Sequence, residues 1–189
     1  MKRKPLISFS LSVAVLLNVF LKVNAQPNPV LNYGFEASAS AATGWTTTNH
    51  PGTSSITTSN VRSGARAYAN VTTTQATTGY VQNNMAIAVP AGKYLVLIGY
   101  YRVSAGAASS RVELGVAGSM GTTVTPSGTA ITQITRAIQN TTGTTQNWNP
   151  RINMYITNTT SRTFTWDDII AYVSDYAAAD LTEPGAATN

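Results

Sequence analysis

The sequence predicts an all-β chain folded as a two-sheet antiparallel β-sandwich, and three observations predict it. From Asn28 onward no useful length of chain repeats its apolar residues at the helical period. Short runs rich in Val, Ile, Thr, Tyr and Trp recur instead, separated by clusters of Gly, Pro, Asn and Ser. With no helices between them, the strands have only another sheet against which to bury their apolar faces.

The chain opens with Lys2, Arg3 and Lys4, an apolar segment over 6–21, and Val23-Asn-Ala25 before Gln26. That is the form of a secretory signal peptide with a small-x-small cleavage site, so residues 1–25 are set apart from the fold and the protein is expected to be secreted, extracellular or periplasmic. The segment is short for a spanning helix, and no Cys follows it to carry a lipid, so no membrane span is expected in the mature chain. Four of the twelve Lys and Arg precede Gln26, leaving eight against seven acidic residues. Four of the five units of formal positive charge therefore belong to the leader, the rest of the chain is nearly neutral, and a nucleic-acid partner is not expected.

Residues 26–176 show no composition break and are enough for one domain with a sizeable core. Cysteine is absent, which excludes disulfides and Cys-based zinc or redox chemistry. Residues 177–189 carry no apolar pattern and read as a disordered tail or linker stub, where a catalytic or anchoring domain would attach. Asn-x-Thr sequons stand at Asn70, Asn140 and Asn158 and matter only in a eukaryotic secretory pathway.

Strands are predicted over 30–35, 45–48, 54–58, 66–71, 79–89, 93–104, 111–117, 131–139, 151–157 and 162–173. The run 94–103 is apolar on both faces, as an interior strand is. Three runs alternate. The first puts Val81, Met85, Ile87 and Val89 inward, interrupted by Asn83, with Tyr80, Gln82 and Asn84 outward. The second puts Val112, Leu114 and Val116 inward, with Arg111 and Glu113 outward; the third puts Ile152, Met154 and Ile156 inward, with Arg151, Asn153 and Tyr155 outward. Alternation assigns no face to 131–139, where Arg136 falls between Ile134 and Ile138.

The last run holds two adjacent carboxylates, Asp167 and Asp168, just before its most apolar part. Strict alternation puts Asp167 with Ile169, Ala171 and Val173, and Asp168 with Trp166, Ile170 and Tyr172. Asp is a poor strand residue, and a lone buried carboxylate is costly unless donors or a cation meet it. Either the pair sits at an exposed strand entry bonded to loop amides, or it holds a cation.

Four motifs, in order, carry a resemblance. They are Asn28-Pro-Val-Leu-Asn-Tyr-Gly-Phe-Glu36 followed by Gly44-Trp45; Arg62-Ser-Gly-Ala-Arg-Ala-Tyr68; Pro90-Ala-Gly-Lys-Tyr94; and Trp166-Asp-Asp-Ile169 in the closing run. Together they resemble the galactose-binding-like jelly-roll carbohydrate-binding modules attached to bacterial xylanases and glucanases. The resemblance spans roughly the mature chain. It implies a structural Ca²⁺ joining the chain's two ends, with carboxylates from Glu36 and Asp167 and carbonyls near Gly34 and Ser63, and with Asp168 as the substitute for Asp167. It also implies that Trp45 and Tyr94 are structural aromatics.

Catalysis finds little support. Glycoside hydrolysis usually needs two carboxylates across a cleft, and Glu113 has no obvious partner. His50 precedes Pro51 in a Gly- and Thr-rich loop, and there is no second His, Cys or Gly-x-Ser-x-Gly elbow for a triad. A lyase using Tyr and Arg stays open. The outward set Tyr80, Gln82, Asn84, Arg111, Glu113, Arg151, Asn153 and Tyr155 combines aromatic platforms with planar polar groups, as poly- or oligosaccharide binding requires. The expectation is a non-catalytic module accessory to glycoside hydrolysis, with a possible linked catalytic domain. The alternative is a structural or adhesive cell-surface module without sugar binding.

Overall fold

Alternating and β-branched runs become strands wherever the alternation is unbroken. The computed structural model describes residues 28–177 apart from 31, 51, 73–78, 106 and 122. The predicted leader and the tail from 178 onward lie outside the described residues. Twelve strands follow in order among them: β1 (Trp45–Thr48), β2 (Thr53–Thr57), β3 (Ala67–Thr72), β4 (Tyr80–Asn83), β5 (Ile87–Val89), β6 (Tyr94–Val103), β7 (Ser110–Val116), β8 (Ser119–Met120), β9 (Thr132–Gln139), β10 (Gln146–Trp148), β11 (Pro150–Ile156) and β12 (Arg162–Ser174). One five-stranded sheet runs β1-β4-β11-β7-β8, a second runs β2-β3-β12-β6-β9, and β5 and β10 form a separate pair. Every described pairing is antiparallel. The fold is a two-sheet sandwich of the jelly-roll kind.

The core lies between the two large sheets. Val81, Val112, Leu114, Val116, Ile152, Met154 and Ile156 come from the first, and Tyr68, Leu95, Leu97, Tyr101, Val103, Phe164, Trp166 and Ile169 from the second. β6 is buried through both faces, since Val96 and Ile98 are as inaccessible as Leu95 and Leu97. On β9 the inward parity is Ile134, Arg136 and Ile138. An inward-pointing charge on an edge strand discourages pairing with another chain, which gives Arg136 a physical reason.

Three expectations are corrected. The described residues of 30–35 form turns and bends rather than a strand, because Asn32 (φ 48°) and Phe35 (φ 59°) take left-handed conformations and Phe35 N donates to Asn32 O at 3.0 Å. That reversal drops the Phe35 ring into the core, fully buried. Residues 79–89 divide into β4 and β5, because the Asn83 side chain accepts from Met85 N at 3.0 Å and turns the chain. Met85 consequently stands 41% exposed and is no core residue. Thirdly, β12 contains a bulge between Asp167 and Ile170, with Asp168 at φ 47°. The extra residue switches the inward set from Phe164 and Trp166 to Ile169 and Ala171, so strict alternation misassigns the faces around the Asp pair.

Candidate functional site

Two constellations carry polar chemistry. The first closes the chain's ends together. The β12 bulge brings both carboxylates out of the strand's alternation and against the turn at 62–64. Asp167 Oδ2 accepts from Arg62 N at 2.7 Å and Ser63 N at 3.2 Å, while its Oδ1 accepts from Asp168 N at 2.9 Å. Asp168 Oδ2 takes the Arg62 Nη1 donor at 2.7 Å, and its Oδ1 takes Ser63 Oγ–H at 2.8 Å. The Arg62 guanidinium also stands over the Tyr100 ring, 3.6 Å from its centroid. Glu36 Oε1 accepts from Ala65 N and Arg66 N, both at 2.9 Å. Gly64 (φ +68°) permits this approach, for a Cβ there would fall 2.3 Å from Glu36 Oε1.

Asp167 and Asp168 are only 2% and 3% exposed, so neither stands at an open strand entry. Burial, with the Asp168 charge beside it, pushes the Asp167 carboxyl up to about 6, against the pull of its main-chain donors. The folded pKa lies above the ordinary 3.8, so between these values the folded state holds a proton that the unfolded chain has lost. In metal-free protein this group therefore weakens the fold above about pH 6, and the penalty lifts as pH falls towards 4, by on the order of 1–3 kcal/mol. Thermal melts in chelator, from pH 7 down to 5, are expected to show Asp167→Ala losing a stabilisation on acidification that the wild type has. Parallel profiles would contradict the assignment.

Gly34, Glu36, Ser63 and Asp167, the residues expected to hold calcium, lie about the same turn with Asp168 beside them, and Ser63 meets the carboxylates with its N–H and its hydroxyl. A Cβ on Gly34 would lie 3.4 Å from Asp168 Oδ1 and 3.9 Å from Asp167 Oδ1, which places this glycine's backbone against both carboxylates. The donors are hard oxygens, and three carboxylates face two guanidiniums, those of Arg62 and Arg66. Oxygens are the donors calcium takes, while both oxygens of Asp167 and of Asp168, and Glu36 Oε1, already accept from protein donors. Among the described residues no group of three or more His, Cys, Asp or Glu side chains is arranged to hold a metal by itself, so main-chain oxygens would have to complete the shell.

The second constellation is the outward face of the first sheet. Register sets Arg151 opposite Gln82, Asn153 opposite Glu113 and Tyr155 opposite Arg111. Arg151 Nε donates to Gln82 Oε1 at 2.6 Å, and its guanidinium carbon stands 3.8 Å from the Tyr80 ring centroid. Glu113 accepts from Asn153 Nδ2 at 3.2 Å and Thr123 Oγ1 at 2.6 Å. Arg111 Nη1 turns back to the carbonyls of Ala108 (2.9 Å) and Ser110 (2.7 Å). Asn84 lies just past β4 and accepts from Thr46 Oγ1 at 2.7 Å. Seven of the eight expected residues occupy β4, β7 and β11, and Asn84 flanks them. Asn153 is 4% exposed and forms the floor, while Tyr80 and Tyr155 are partly buried.

Sequence reading missed Thr123, which reaches Glu113 from the connection after β8, and Thr46 and Thr48, which lie opposite Gln82 and Tyr80 on β1. The Thr46/Thr48 parity was available as a signal, because Trp45 marks the inward side of that strand. Trp148, on β10, is partly buried and packs against the core cluster. Trp45 is buried, with its ring 5.3 Å from Phe35, whereas Tyr94 is partly buried on the outward parity of β6.

No protein-family model and no curated protein matches this sequence. Solved structures do match in fold. TmCBM61, determined in complex with β-1,4-galactotriose, is 16% identical at a TM-score of 0.54, over 77% of this chain and 98% of that one. The CBM22-1–CBM22-2 tandem domain of Paenibacillus barcinonensis Xyn10C is 14% identical at 0.51, over 79% of this chain and 47% of that one. A cyclase from Fischerella sp. TAU is 12% identical at 0.57, over 80% and 98%. This chain therefore has the fold of carbohydrate-binding modules, a fold that the cyclase shares.

Proposed function

We propose that this protein is an exported, non-catalytic carbohydrate-binding module, accessory to glycoside hydrolysis, which takes poly- or oligosaccharide on the outward face of the sheet β1-β4-β11-β7-β8. The observation that carries the reading is the pair of fixed polar couples on that face, Gln82 with Arg151 and Glu113 with Asn153, which share it with Tyr80 and Tyr155. Planar amide, carboxylate and guanidinium groups held in place exchange hydrogen bonds with sugar hydroxyls, and an aromatic ring supports the sugar's C–H face. The likeness in fold to TmCBM61, which was solved with a galactotriose, supports the same reading.

A binding role fits better than hydrolysis because, among the described residues, Glu113 is the one carboxylate of this face, and inverting or retaining cleavage needs two. Export rests on the leader-like residues 1–25, and among the described residues no helix is long and apolar enough to cross a membrane. A structural calcium held by Glu36 and Asp167, with main-chain oxygens of Gly34 and Ser63, would add positive charge beside the buried carboxylates to that of Arg62.

Each polar contact replaces one with water, so affinity is expected to be on the order of micromolar to millimolar and to grow with chain length. Calorimetric titration of neutral xylo-, gluco- and galacto-oligosaccharides into wild type and Tyr155→Ala tests this. Binding by the wild type that falls by about tenfold or more in the variant is expected. Undiminished binding moves the site to the sandwich rim, and no binding to any glycan favours the structural or adhesive alternative.

A further inference from the structure

We propose that the Arg151–Tyr80 pair reads a carboxylate, so that the preferred glycan carries uronic acid residues. This rests on the reading of the sheet face as a sugar site and narrows it. The guanidinium lies over the Tyr80 ring at 3.8 Å, so that side of the ring supports Arg151 and not a sugar. Its Nε is tied at 2.6 Å to Gln82, the residue directly opposite in register. Stacking fixes the plane of the guanidinium, and the Nε bond fixes its rotation within that plane.

What is left free is the far edge. Of the five guanidinium protons, the one on Nε is used, and the four on the Nη atoms have no partner among the described residues. Two parallel Nη donors in a fixed plane match the two oxygens of a carboxylate, whereas a neutral hydroxyl engages one of them and leaves the charge unmet. Neighbouring charges do not already fill this role. Glu113 is occupied by Thr123 and Asn153, and among the described residues it forms no ion pair with Arg151. The other guanidinium of the face, Arg111, spends Nη1 on two main-chain carbonyls. With two guanidiniums and one carboxylate the face is net positive, and Arg151 carries the open donor edge.

The test compares one ligand with its neutral twin: a glucuronic-acid-substituted xylo-oligosaccharide, and the same oligosaccharide after its carboxyl has been reduced to a hydroxymethyl group. Calorimetry on the wild type is expected to give roughly tenfold tighter binding of the acid at low salt, with the ratio shrinking at high salt. In Arg151→Gln the ratio is expected to fall to about one; in Arg151→Lys, which keeps the charge but not the fork, it is expected to lie between. Thermal melts establish that each variant is folded, and the wild-type ratio stands as a test without them. Equal binding of the two ligands by the wild type overturns the carboxylate inference while leaving the sugar face in place. A preference that persists in Arg151→Gln also overturns it. Failure of both ligands, together with all neutral oligosaccharides, removes the sugar face itself.

Discussion

Arg62→Ala is expected to destabilise the protein by about 2–4 kcal/mol, measured by chemical denaturation at neutral pH without added metal. The substitution removes the 2.7 Å donor to Asp168 and the cation over Tyr100, and leaves two nearly inaccessible carboxylates with only main-chain amides and Ser63 to meet them. Breaking a buried pair typically costs roughly 3–5 kcal/mol, and the 30% exposure of the Arg62 side chain lowers that figure. Arg62→Lys is expected to recover part of the loss, since charge returns without the planar stack. Calcium then has a defined effect: it should raise the thermal midpoint of the wild type and restore more of the stability of Arg62→Ala, where the negative charge is less compensated. A midpoint unmoved by calcium in both proteins contradicts the calcium proposal. A loss below about 0.5 kcal/mol in Arg62→Ala contradicts the account of the carboxylate pair itself.

Phe35→Ala is expected to cost about 3–5 kcal/mol. Its ring is fully buried, 5.3 Å from Trp45 and 5.6 Å from Tyr68, and it ties the opening turns to β1 of one sheet and β3 of the other. The left-handed strain at φ 59° stays in the variant, because it arises from the Cβ that alanine keeps. Trp45→Ala belongs in the same range. Tyr94→Ala, partly buried on the outward parity of β6, is expected to cost less, about 1 kcal/mol. Equal losses at Trp45 and Tyr94 would show that the outward face of β6 carries as much of the packing as the sandwich interior.

The sandwich was legible because β7 and β11 alternate without interruption: Val112, Leu114, Ile152 and Met154 can face only inward if the charged residues between them are to stay out. Three places were not legible, and each has a local cause. An inserted residue in β12 reverses the parity of everything after it, and nothing in the composition of Asp167-Asp-Ile169 marks the insertion. The break after Asn83 depends on one side-chain hydrogen bond, and the turn at Phe35 on a left-handed residue that is not glycine. At the two sites, residue types were readable and partnerships were not. Glu36, Ser63 and Asp167 could be grouped through the family resemblance, yet Arg62 as the partner of Asp168 appears only once the turn at 62–64 meets the bulge. Likewise, Tyr80 and Arg151 fall on the outward parity by alternation, but their stacking follows from the register of β4 with β11, strands separated by more than sixty residues.

The central claim is that one sheet face binds sugar, and backbone amide shifts in ¹⁵N-labelled protein test it most directly. Titration with the tightest-binding oligosaccharide is predicted to move the signals of Tyr80, Gln82, Arg111, Glu113, Arg151, Asn153 and Tyr155 together, along one saturation curve. Shifts confined to the rim loops or to the outward face of β2-β3-β12-β6-β9, with these seven unmoved, would contradict it.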